Sequence, residues 1–79
     1  MNQEEALKWF ADLFELPLSG LSPATARWEI PAWDSLGVLK LIGALDETFG
    51  IEIAGDDVLK MQKVGDVLAL LQANGKLRP

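Results

Sequence analysis

Cysteine, histidine and tyrosine are all absent from this chain of 79 residues. Without cysteine there is no disulfide and no thiol nucleophile, and without histidine the usual general base near neutral pH is missing. The common soft and imidazole metal ligands are missing with them. Basic residues are few: five Lys and two Arg against twelve Asp and Glu give a formal net charge of 7 − 12 = −5. A nucleic-acid binder needs a basic face to displace phosphate counterions, so nucleic acid is excluded as a partner, and anionic membrane is a poor fit. Long hydrophobic runs are lacking too. The longest aliphatic run, Val67 to Leu71, is far too short to span a bilayer, and Met1-Asn2-Gln3-Glu4-Glu5 lacks the basic segment that opens a secretory signal. These absences lead to the expectation of a soluble, cytoplasmic monomer without stable membrane insertion, in which residues 1–79 form one small domain. Its core must be apolar packing alone, and 49% hydrophobic residues suffice for that.

What is present is helical. From Asn2 to about Leu16, Glu4, Glu5, Lys8, Asp12 and Glu15 fall on one stripe and Leu7, Phe10, Ala11 and Phe14 on the opposite one. Asn2 and Glu5 have capping-box spacing, Glu4 and Lys8 form an i,i+4 pair, and Pro17 stops further winding. Residues 17–33 carry three prolines and no sustained period, yet Leu18, Leu21, Trp28, Ile30 and Trp33 make this segment too apolar for a disordered linker. It reads as an ordered loop clamped onto the helices by those side chains, with the tryptophans as core or loop anchors.

A second helix is predicted from Asp34 or Ser35 to about Phe49. Val38, Leu41, Ile42, Leu45 and Phe49 form its core side, and Leu36, Gly37, Lys40, Gly43 and Glu47 a mixed face open to a partner. Each interior glycine costs about 1 kcal/mol relative to Ala. Close approach of a partner and tight internal packing both account for that cost. Ile51-Glu52-Ile53 reads as a short extended connection, Asp56 or Asp57 as the cap of a short third helix through about Met61. The last helix runs from about Val64 to Asn74, with Val64, Val67, Leu68 and Leu71 inward and Asn74-Gly75 as its C-cap; Gln62-Lys63 offers no Ser or Thr cap at its start. The fold class is therefore all-α, three long helices and one short one.

Chemistry-bearing residues are sparse. Asp46-Glu47 and Asp56-Asp57 read as solvated or capping acids, and no calcium-loop pattern is present, so no metal site is expected. Asp34-Ser35-Leu36 follows a Pro-rich loop and opens a helix. Asp and Ser are ordinary N-caps there, but a hydroxyl at that position is also exposed, and a phosphate ester on it would face unpaired N–H groups and the positive end of the helix dipole.

Asp34-Ser35-Leu36, followed by Leu41, Ala44-Leu45, Phe49-Gly50-Ile51-Glu52-Ile53 and Val64 to Leu71, resembles the acyl carrier protein family in order and spacing. The resemblance implies an antiparallel helical bundle whose interior can admit an acyl chain. It implies that Ser35 receives a 4′-phosphopantetheine arm from coenzyme A, with Asp34 and Leu36 contacting the phosphopantetheinyl transferase. No catalytic residues are then expected, because the cofactor carries the chemistry, and the partners are acyl-activating, acyl-transferring or synthase enzymes of fatty-acid, lipid or polyketide pathways. The second helix departs from the acid-lined pattern of typical members: Gly37, Lys40 and Gly43 leave Asp34, Asp46 and Glu47 as its negative charges. This departure points to a specialised carrier rather than the housekeeping one. An aminoacyl or peptidyl carrier, and an unmodified helical docking module, are the competing readings.

Overall fold

The computed structural model describes residues 1–78. Four α-helices follow in order: α1, Gln3–Phe14; α2, Ser35–Phe49; α3, Gly55–Leu59; and α4, Val64–Ala73, with a 3-10 turn at Arg27–Glu29 between α1 and α2. Among the described residues there is no strand, only an isolated antiparallel bridge between Ala26 and Lys63. The all-α bundle of three long helices and one short one is as the sequence predicts.

Helix α1 starts where its capping box places it: Asn2 Oδ1 accepts from the Glu5 amide and Glu5 Oε1 from the Asn2 amide, both at 2.9 Å. It ends earlier than Pro17 alone would require, because Glu15 adopts a left-handed conformation with φ 55°. Lys8 pairs with Asp12 at 2.9 Å, not with Glu4 as predicted. Both acids lie one turn away, and the spacing alone gives no reason to choose between them.

Between the helices lies a core built from Phe10, Leu41, Leu45, Val58, Val67 and Leu71, all fully buried. Phe10 packs on Phe14 and Trp33 with ring centroids 4.8 and 5.3 Å apart, and Trp9 meets Phe49 edge-on at 5.0 Å. Trp33 Nε1 is buried there without a hydrogen-bond partner among the described residues, a cost of about 1–3 kcal/mol offset by the area its ring removes from water.

The 17–33 segment is ordered, but the clamp differs from the expected one. Ile30 and Trp33 are buried, Leu21 is half-buried, and Leu18 and Trp28 are exposed, Trp28 by 79%. Backbone pairing does much of the holding: the Arg27 amide donates to Gln62 O at 2.7 Å, Val64 to Thr25 O at 3.0 Å, and Gly65 to Pro23 O at 2.8 Å. The loop is thereby stitched to the start of α4.

Two helix starts also differ from expectation. Neither Asp56 nor Asp57 caps α3; Ala54 is its N-cap, without a side-chain bond, and both acids lie in the first turn, where negative charge is favoured. Helix α3 stops at Leu59, short of Met61. For α4 the missing Ser or Thr is replaced from inside the helix, because Asp66 Oδ2 accepts from the Gln62 and Lys63 amides at 2.8 and 3.2 Å. Among the described residues no helix is long and apolar enough to cross a membrane.

Candidate functional site

The end of the loop and the head of α2 form the site. Asp34, in extended conformation, is the N-cap, its Oδ1 accepting from the Gly37 amide at 3.0 Å. Capping thus belongs to Asp34, and Ser35 is the first helical residue. The Ser35 hydroxyl is exposed and has no hydrogen-bond partner among the described residues, and the Ser35 and Leu36 amides likewise have no acceptor. Leu36 is 76% exposed and lies outside the apolar core.

Of the predicted partner face, Lys40, Gly43 and Glu47 are exposed together with Leu36. Gly37 is not, and this corrects its assignment as a partner contact. A Cβ there would collide with the backbone oxygen of Ala32 and reach to 3.0 Å from Phe14 Cε1, so Gly37 allows the loop to cross close over α2. Internal packing explains Gly37; Gly43 differs, because a Cβ there would meet nothing within 4 Å.

Beside Ser35, an apolar groove of about 340 Å³ runs between α2 and α3, lined by Ser35, Val38, Leu39, Ile42, Asp56 and Leu59 among others. Leu39 is 65% exposed and Leu59 52%. Neither was singled out from the sequence, although Leu39 stands one helical turn after Ser35 and so on the same side of α2. Leu59 gave no such signal, because its place depends on how α3 packs.

These features fit a phosphate ester carrying an apolar-tolerant arm. The hydroxyl is free to form the ester, two unpaired amides at the positive end of a 15-residue helix face the same region, and the groove begins at the serine itself. Asp34 fixes the turn, and Leu39 lines the groove beside Ser35.

Comparison with known proteins agrees with this geometry. The family model described as "Phosphopantetheine attachment site" matches residues 33–71. The chain is 34% identical over 70 residues to an acyl carrier protein of Nitratidesulfovibrio vulgaris, covering 89% of this chain and 92% of that one. It is 46% identical over 41 residues to an acyl carrier protein of Helicobacter hepaticus, covering 52% and 54%. The chain belongs to the acyl carrier protein family, whose members are not enzymes themselves but carry acyl groups on a covalent 4′-phosphopantetheine and are served by phosphopantetheinyl transferases and acyl-handling enzymes.

Proposed function

We propose that residues 1–79 act as one carrier domain in which Ser35 bears the phosphopantetheine arm and Asp34 and Leu36 meet the transferase that installs it. The observation that carries this reading is the unpartnered, exposed Ser35 hydroxyl at the head of α2, opening onto the groove between α2 and α3. When attached, the group supplies a terminal thiol for thioester linkage to acyl cargo. The chain's own contribution is presentation. Asp34 holds the turn, the free amides of Ser35 and Leu36 face the phosphate position, and tethering gives the cargo a high effective concentration at each enzyme visited.

The test is the intact mass of the protein after incubation with coenzyme A and a broad-specificity transferase, with fragmentation to locate the adduct. One phosphopantetheine increment on Ser35 is expected. Ser35→Ala removes it with no loss of helicity, since the cap is Asp34. An increment elsewhere, or none with an active transferase, overturns the assignment.

The carrier is read as specialised, with its own partner enzymes, because Lys40 and Gly43 stand on the exposed face of α2 where acids would attract a basic enzyme patch. Lys40→Glu is expected to raise the rate with housekeeping fatty-acid enzymes while changing stability by no more than about 0.5 kcal/mol. Unchanged relative rates with two such enzyme sets would remove the specialisation.

A further inference from the structure

Among the described residues, Arg27 is the only one whose side chain hydrogen-bonds to both the loop before Ser35 and the helix on the far side of the groove. Its Nε donates to Trp33 O and its Nη1 to Leu59 O, both at 3.2 Å, and its Cζ lies 5.8 Å from the centroid of the Trp33 ring. Its own amide donates to Gln62 O at 2.7 Å, so it grips the segment after α3 through the backbone as well. Among the described residues it forms no ion pair: those present are Lys8 with Asp12 and Arg78 with Glu5. The guanidinium is spent on carbonyl oxygens.

Both carbonyls matter by position. Trp33 immediately precedes the Asp34 cap, and Leu59 is the last residue of α3. With only five residues, α3 cannot sustain itself by internal hydrogen bonding, and it has no side-chain N-cap and no basic residue in its last turn. A cation on its final carbonyl both pairs an orphan acceptor and suits the negative end of the helix. The Leu59 side chain in turn lines the groove that starts at Ser35, and also the neighbouring cavity of about 520 Å³ that Arg27, Trp28 and Trp33 line.

We propose that Arg27 is a positioning residue for carrier function: its guanidinium ties the end of α3 to the residue before the Asp34-Ser35 turn and thereby fixes the wall of the groove beside the attachment serine. The proposal rests on reading Ser35 as the attachment point. The planar fork is what the role requires, since the compact ammonium of lysine, even where it reaches one carbonyl, does not reproduce two directed N–H bonds at once. Without it, α3 opens more often, and enzymes that bind the closed arrangement see a smaller competent fraction of the carrier. The apparent affinity falls in proportion, while the Ser35 hydroxyl, held by Asp34 on α2, reacts as before once bound.

Arg27→Met, which keeps the aliphatic stem, and Arg27→Lys are compared with the parent chain in two measurements. In amide hydrogen exchange, Val58 and Met61 are expected to exchange about tenfold faster in both variants while α4 amides keep their rates. In transferase kinetics with the apo-protein as substrate, KM rises by the factor by which the closed fraction falls, which is smaller than the exchange factor while the open form is the minority, and kcat stays within about twofold. Unchanged α3 exchange, a fall in kcat with KM unaltered, or full recovery by Arg27→Lys each overturns the proposal. Should Arg27→Met not fold, the milder lysine variant decides by the same criteria. A parent chain that takes no phosphopantetheine on Ser35 defeats the attachment reading and with it the kinetic half, while the exchange measurement still decides whether Arg27 holds α3.

Discussion

The two glycines of α2 look alike in sequence and act differently. At Gly37 the loop backbone fills the space a Cβ would need, whereas Gly43 faces solvent. Gly37→Ala is therefore expected to destabilise by about 1–3 kcal/mol through forced displacement of the loop. Gly43→Ala should instead stabilise by about 0.5–1 kcal/mol, the ordinary helix-propensity gain. Paired urea melts decide, and equal effects would refute the distinction. Gly43, unlike Gly37, lies on the exposed face of α2 proposed for a partner. At this scale the Asp34 cap and the exposure of Ser35 and Leu36 at the head of α2 were legible because they are local features. Gly37 was misplaced because helical periodicity records the angle of a residue around its own axis and nothing of a loop crossing over it. Arg27 gave no signal at all, since both of its carbonyl acceptors are chosen by the tertiary fold.

Helices α1 and α2 were readable from periodicity and their caps, and α4 from its apolar face. The start of α4 was harder, because the acceptor that satisfies the Gln62 and Lys63 amides is Asp66, inside the helix rather than before it. Asp66→Ala is expected to cost about 0.5–2 kcal/mol, the usual range for a lost cap, measurable as a lower urea midpoint with unchanged m. A neutral result would show that water serves those amides equally well. The loop before α2 illustrates the opposite limit. Its order was inferred from its apolar side chains, but Leu18 and Trp28 are exposed, and backbone bonds to residues 62, 64 and 65 supply much of the restraint. Pairings of that kind join segments more than thirty residues apart and leave no local pattern.

The principal extents of the fold are 28 × 27 × 18 Å, and α1, α2 and α4 each carry exposed residues opposite their buried ones. Every long helix therefore keeps one face in water. The two ends of the described chain meet, with the Arg78 amide donating to Met1 O at 2.7 Å and the Arg78 guanidinium 3.8 Å from Glu5. The tryptophans are graded by depth in this thin body: Trp33 is 3% exposed, Trp9 half-buried against Phe49, and Trp28 79% exposed beside the cavity it shares with Leu59. Because the chain contains no tyrosine, its ultraviolet emission belongs to these three indoles, each in a different solvent setting. A neutral collisional quencher should silence a red-shifted component first and leave a blue one largely untouched, and Trp28→Phe should abolish the first component alone. The carrier thus contains its own optical label: a partner enzyme that settles across the Leu59 side of the groove will shield the quenchable light, and docking can be followed without attaching a dye.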